Sequence, residues 1–260
     1  MGPREMGDMD AKTMSAERIR EPESAEKARV LARDLCPADV IRAGVGDENE
    51  WVRWVAVGHP NAPEDVIRAG AADEDPDVRA EAVGNPRAPE DVIRTGMRDE
   101  DEWVRSAAVR NPSAPADVIR AGAVDEAVTV RMAAVANPNA PEDVIRAGTR
   151  DKSAWVRRAA VGNPSAPVGV IRAGVEDAAV TVRVAAVGNR GAPEDVIRIG
   201  ARDGSWWVRE AAAASPELAA ELAEKLSKSK VMKIQEALAG NSAVPERIRV
   251  VARMKVSGTR

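Results

Sequence analysis

Residues 102–122 read EWVRSAAVRNPSAPADVIRAG, and close copies of this stretch fill most of the 260-residue chain. Val40, Val66, Val92, Val118, Val144, Val170 and Val196 each open a Val-Ile-Arg triplet, and every interval is 26 residues. A second valine series, Val52 to Val208, keeps the same step and is followed each time by arginine. A third series runs from Asp47 to Asp203 without a break. Leu222, Ile234 and Ile248 continue the register in degenerate form, which makes about nine units. A fixed period of this length is the signature of a repeat array, in which each unit buries its apolar face on its neighbours.

Each copy divides into two short helices. The acidic cluster ahead of Trp103 suits a helix start, because carboxylates accept from unpaired N–H groups and meet the positive end of the dipole. Asn111-Pro112 suits a stop, since asparagine tolerates the left-handed conformation and proline cannot continue the helix. Pro115 then takes the first position of the second helix. Gly122 ends it, as do Gly44, Gly70, Gly96, Gly148, Gly174 and Gly200 in the other copies. Helices this short are unstable alone and have to stack. At the helical period Val52, Val55 and Ala56 share an inner face, and the alanine series from Ala56 to Ala212 lets neighbouring helices approach closely. Val57 and its equivalents lie off that face, which predicts a last turn that tightens or tucks inward. The predicted organisation is a disordered tail over 1–24, tandem repeats over 25–214, and degenerate repeats forming a C-terminal cap over 215–260.

With Val-Arg-x-Ala-Val, Asn-Pro-x-x-Pro and the Asp-rich turns in place, roughly residues 25–254 resemble the leucine-rich repeat variant family, a bacterial relative of HEAT-like solenoids. The resemblance implies a right-handed superhelix of short α and 3₁₀ helices and a role in protein interaction. The expected fold is therefore an all-α, right-handed solenoid of about nine 26-residue, two-helix repeats. This chain departs from the family in its slightly longer unit and in valine and isoleucine where the family has leucine. The cysteine-rich iron–sulfur segment known in one member has no counterpart, so no cluster chemistry carries over.

Composition narrows the function. The formal net charge is −4, which gives no global attraction for nucleic acid or anionic membranes. Residues 216–260 alone carry nine Lys or Arg against five Glu, a local excess that suits a polar cap or a docking surface for an acidic partner. A single cysteine, Cys36, excludes an internal disulfide framework. No apolar run of the length needed to cross a membrane is present, and the opening MGPREMGDMDAKTM lacks the apolar centre of a signal peptide. The expectation is a cytoplasmic protein with no membrane partner.

Arg53, Arg79, Arg105, Arg131, Arg157, Arg183 and Arg209 form a ladder along one flank of the first helices. Their matching period with the Asp series favours ion pairing that ties the stack together. The alternative is a phosphate-tracking stripe for nucleic acid. The arginines from Arg42 to Arg198 in the Val-Ile-Arg triplets are read as solvated or paired with the acids of the Pro-Glu-Asp starts. Trp51, Trp103, Trp155 and Trp207 recur every 52 residues. In a protein without Phe or Tyr they are read as core fillers rather than as a partner ladder.

Position 54 and its equivalents vary and point away from the core, so they mark the outer face. The candidate partner surface is accordingly Trp54, Ser106, Arg110, Met132, Arg158, Trp206 and Glu210. The acidic turns lack the spacing of a calcium loop. His59 replaces the helix-end asparagine, and Cys36 has no activating neighbour. The sequence therefore carries no expected catalytic residue, cofactor or metal. The expected role is a non-enzymatic scaffold for a protein partner, with nucleic-acid binding and structural self-assembly as alternatives.

Overall fold

The structure, a computed structural model, describes residues 22–32 and 36–258. Residues 1–21 of the expected tail lie outside the described residues, and residues 22–24 open the first helix rather than belonging to a tail. Two compact units, one up to Val118 and one from Ile119, divide the chain. The first contains α1 (Pro22–Leu31), α2 (Ala38–Gly44), α3 (Glu50–Gly58), α4 (Glu64–Gly70), α5 (Pro76–Gly84), α6 (Glu90–Gly96) and α7 (Glu102–Arg110). Helix α8 (Ala116–Gly122) spans the division. The second continues with α9 (Val128–Ala136), α10 (Glu142–Gly148), α11 (Ala154–Gly162), α12 (Val168–Gly174), α13 (Val180–Gly188) and α14 (Glu194–Gly200). It closes with α15 (Trp206–Ala214), α16 (Ala220–Ser227), α17 (Met232–Gly240) and α18 (Glu246–Ser257). Among the described residues this makes eighteen helices and no strand, paired into nine repeats of a helical solenoid.

Within each unit the longer, odd-numbered helices pack on their counterparts in the next repeat, and the shorter ones pack on the longer ones. The isoleucine of every Val-Ile-Arg triplet is fully buried, from Ile41 to Ile197, as are Val52, Ala56 and their equivalents. Val57 is also fully buried. The helix end tightens to bring it in, with His59 N–H reaching back three residues to the Ala56 carbonyl at 3.4 Å. The elements are α-helical throughout. The 3₁₀ character implied by the resemblance survives only as bonds such as Val66 N–H to the Pro63 carbonyl, 3.0 Å. Pro63 stands just outside α4 as its cap, with φ −63° and ψ 154°, one residue earlier than expected.

Both stop signals work differently from expectation. No described residue has a positive φ, so neither asparagine nor glycine ends a helix by turning left-handed. Asn163, at φ −61° and ψ 132°, is extended. Its side-chain amide donates to the carbonyls of Val135 and Asn137 in the preceding repeat, at 2.8 and 3.0 Å, while its oxygen accepts from Ser165 N–H at 2.7 Å. Asn85, Asn111, Asn189 and Asn241 make the same three bonds. His59 keeps the third of them, with Nδ1 accepting from Asn61 N–H at 2.9 Å. The column of asparagines is thus a buried seam between repeats.

Glycine serves close approach. A methyl group on Gly148 would come within 2.6 Å of Val135 Cγ1 and 2.9 Å of Ala160 Cβ. Gly188, in the last turn of a long helix, faces nothing within 4 Å. Gly148→Ala is therefore expected to destabilise by about 1–2 kcal/mol through overpacking, whereas Gly188→Ala is expected to stabilise by about 0.5–1 kcal/mol. Paired urea titrations of the two variants check this. Equal effects would mean that glycine acts only through helix propensity.

Candidate functional site

The repeated turns before each long helix organise the charged groups. Arg53 donates from Nε and Nη2 to both oxygens of Asp73 in the next repeat, at 2.7 and 2.9 Å. Its Nη1 donates to the carbonyls of Asp47 and Glu48 in its own repeat, each at 3.1 Å. Asp73 meanwhile accepts from Asp75 N–H at 2.9 Å. One guanidinium therefore closes its own turn and clamps the following one. Arg79–Asp99, Arg131–Asp151, Arg157–Asp177 and Arg183–Asp203 repeat the arrangement, with Nε–Oδ2 distances of 2.7–2.8 Å. Arg105 closes its own turn through the carbonyls of Asp99 and Glu100. Burial pushes the Asp73 carboxyl up, but the Arg53 and Asp75 hydrogen bonds and the nearby positive charge outweigh it and hold the group below its ordinary value.

The ends of the ladder are modified. Lys27 takes the place of an arginine and meets Asp47 at 3.0 Å. At the other end Ser229 replaces the aspartate, so Arg209 reaches only the carbonyls of Asp203 and Gly204. Gln235, buried, stands in the arginine position and keeps the bonds to turn carbonyls, those of Ser227 and Ser229.

A second, exposed ladder joins the short helices. Arg42–Asp65, Arg68–Asp91, Arg94–Asp117, Arg120–Asp143 and Arg172–Asp195 pair across repeats at 2.5–3.1 Å. Such solvent-exposed pairs contribute little stability each. Gly169 breaks this series, and Arg146 turns to Glu142 at 2.6 Å. Arg247 and Glu224 restore it with the signs exchanged.

The tryptophans overturn the core-filling expectation. Trp103, Trp155 and Trp207 are 43%, 45% and 57% exposed. Trp54 and Trp206, favoured as outer-face contacts, are half-buried. Trp54 stacks on Trp51 with centroids 5.1 Å apart and planes at 6°, and Trp206 on Trp207 at 4.1 Å and 23°. The Arg158 guanidinium lies 6.0 Å above the Trp155 ring. Of the expected partner surface, Arg110 and Arg158 are exposed, while Met132 and Glu210 are half-buried. Ser106 is only 2% exposed, with its hydroxyl lacking a hydrogen-bond partner, and so does not belong to that surface. The physical reason is that a long helix is covered on its flanks by like helices as well as by the short helix. That leaves a narrow strip at positions 51 and 58 rather than a broad face centred on 54.

Comparison with known proteins gives the architecture a precedent. No family model matches the chain. No curated protein matches it. Among solved structures the chain is similar to one described as a leucine-rich repeat variant with a novel repetitive protein structural motif, at 23% identity and a TM-score of 0.51. The match covers 74% of this chain and 81% of that one. The fold is that of a leucine-rich repeat variant. On this leucine-rich repeat variant fold, no helix among the described residues is long and apolar enough to cross a membrane. No cluster of His, Cys, Asp or Glu able to hold a metal occurs among them either. Cys36 is buried, its thiol directed to the Pro37 carbonyl at 3.8 Å.

The charge along the strip is uneven. Besides the ladder aspartates, the turns before α3, α5 and α7 carry Glu48 and Glu50, then Glu74, Asp75 and Asp77, then Glu100, Asp101 and Glu102, against Arg98. Asp75 and Asp101 cap their helices by accepting from Asp77 and Trp103 N–H, which confirms helix starting as the use of these acids. The turns before α9, α11, α13 and α15 carry only Glu126 and Glu176, against Arg150, Lys152 and Arg202.

One acid was missed by sequence reasoning. Glu81 stands in a column otherwise held by Val55, Ala107, Ala133, Ala159, Ala185 and Ala211. Its carboxylate lies over Gly58 of the preceding repeat, in the space a Cβ would need. No hydrogen bond or ion pair offsets its desolvation, and burial pushes its pKa from 4.5 to about 6. The folded state therefore holds this proton more tightly than the unfolded chain, and stability falls as pH rises from 4.5 to about 6. Glu81→Ala is expected to gain ~2 kcal/mol above that window and nothing from the ionisation below it. Denaturant titrations at pH 4 and pH 7.5 test this, and equal effects at both would refute it.

Proposed function

We propose that the chain is a non-enzymatic interaction scaffold of the cytoplasm, and that the exposed long-helix strip within each unit receives a protein partner. The observation that carries this is the substantial exposure of one register position of the repeat in each unit, at Trp103 in the first and at Trp155 and Trp207 in the second. Tryptophan side chains combine large apolar area with an indole N–H donor, and they are enriched among the residues that dominate binding energy. The charged groups support the same reading. The ladder arginines are committed to aspartates and turn carbonyls, which disfavours phosphate tracking by that series.

The test is capture from native lysate by the intact protein and by a variant carrying Trp103→Ala, Trp155→Ala and Trp207→Ala. A partner lost with the triple substitution, but kept with Val124→Ala and Ile199→Ala, supports the assignment. Those two controls remove exposed apolar side chains away from the strip. A partner that survives the triple substitution places binding elsewhere. Duplex binding at low salt that weakens when Arg53 and Arg79 become alanine would favour nucleic acid instead.

A further inference from the structure

In the unit up to Val118 the tryptophans sit among carboxylates, and this combination specifies a partner more narrowly than an exposed indole does. Glu48, Glu50, Glu74 and Asp75 line a cleft of about 360 Å³ beside Arg53 and Pro76. Arg53 is clamped to Asp73 and also meets Glu74 at 3.9 Å, so the cleft sets four carboxylates against one committed guanidinium. Trp51 and Trp54 stack at the start of α3. One turn further along the same helix, Glu81 lies over Gly58 with its charge unpaired and desolvated. Gly58 lies four residues from Trp54 on one face of α3, and a half-buried carboxylate one turn from an aromatic pair is poorly satisfied by water and well satisfied by a cation that also presents a flat face.

We propose that this unit binds an extended, arginine-rich peptide segment across α3, α5 and α7, with one guanidinium received between the Trp51–Trp54 stack and Glu81. The proposal rests on the protein-interaction reading above and deepens it for one unit. Arginine fits better than lysine because its planar group stacks on indole while pairing with a carboxylate, and it is more weakly hydrated. Nucleic acid and anionic lipid are repelled by the same carboxylates. Packed helices lie about 8–10 Å apart. A polyproline-type chain rises about 3.1 Å per residue with three residues per turn. Side chains at every third residue of such a peptide therefore meet successive long helices, so the favoured ligand spaces its arginines by three.

The probe is a labelled peptide of four Arg-Pro-Pro triplets, followed by fluorescence anisotropy with the full-length protein. The expected result is saturable binding at 25 mM salt that weakens at least tenfold at 300 mM. A Glu-Pro-Pro counterpart should not bind. Trp54→Ala and Glu81→Gln are each expected to weaken binding at least tenfold, with Val124→Ala unchanged. Glu81→Gln keeps the side-chain volume, removes the desolvated charge, and so leaves a folded protein to measure. Absence of binding at 25 mM salt overturns the proposal, and so does binding that neither substitution alters, since that would be adsorption to diffuse negative charge. If tryptophan-dependent capture from lysate persists while the arginine peptide fails, the arginine ligand is wrong and the scaffold reading stands. If capture no longer depends on the tryptophans, the scaffold surface itself is wrong.

Discussion

Arg131→Ala is expected to destabilise the protein by about 3–5 kcal/mol, the range for removing one partner of a buried ion pair. The Arg131 and Asp151 side chains are 8% and 12% exposed. Removing the guanidinium strands the Asp151 carboxylate and leaves the carbonyls of Asp125 and Glu126 without their Nη1 donor. In the wild type, burial raises the Asp151 carboxyl, while the Arg131 and Ser153 hydrogen bonds and the arginine charge pull it below its ordinary value of 3.8. That depressed group contributes stability above pH 3.8, lost as pH falls through the folded value. In the variant burial still raises the carboxyl, while of the lowering influences only the Ser153 N–H bond and the Lys152 charge remain, so the penalty is expected to be largest at neutral pH and to shrink as Asp151 protonates. Denaturant unfolding at pH 7 and pH 4 checks the sign. Arg131→Met combined with Asp151→Leu should recover most of the loss, because two apolar side chains leave no stranded charge. A cost for Arg131→Ala below about 1 kcal/mol would put this pair in the class of exposed surface bridges.

Asn163→Ala is the second large effect, expected at about 3 kcal/mol. Its amide satisfies the carbonyls of Val135 and Asn137, and its oxygen satisfies Ser165 N–H, at a site 2% exposed. Each backbone group left buried without a partner costs roughly 1–3 kcal/mol. Asn163→Asp should be at least as harmful at neutral pH despite its matching shape, since it aims a carboxylate at two carbonyl oxygens. Lowering the pH should relieve part of that cost by protonating it, a rescue that alanine cannot show. Thermal unfolding of the two variants across pH separates them. An aspartate variant as stable as the wild type at neutral pH would mean that the amide donors are dispensable.

Much of the architecture was legible because it is written locally and often. The 26-residue step, the helix pairs and the match of arginine to aspartate all follow from residue type and spacing. What escaped depended on neighbours that are distant in sequence. The helical wheel places Val52 and Ala56 inside but knows only one packing partner. The stack covers the flanks of each long helix as well, burying Ser106 and leaving Trp103 in the open. Asparagine and glycine at helix ends suggested left-handed backbone, yet Asn163 reaches back to the preceding repeat and Gly148 makes room for Val135. A hint was present in each case. The asparagine recurs while neighbours such as Arg110 and Ser113 vary, and Glu81 is a lone acid in a column of small apolar residues.

The forward reach of the buried arginines gives the array a grammar of whole words. Each such clamp joins a residue to one twenty positions ahead, and Asn85, Asn111, Asn163, Asn189 and Asn241 answer carbonyls 28 and 26 positions behind. Excising residues 145–170, one full period, would bring Arg131 opposite Asp177 and rejoin Val144 to Ile171 with each kind of bond still available. A cut one residue longer or shorter would misalign both seams at once. Such a chain can lose or gain whole steps of 26 residues with both seams intact, whereas a fractional step costs both at the join.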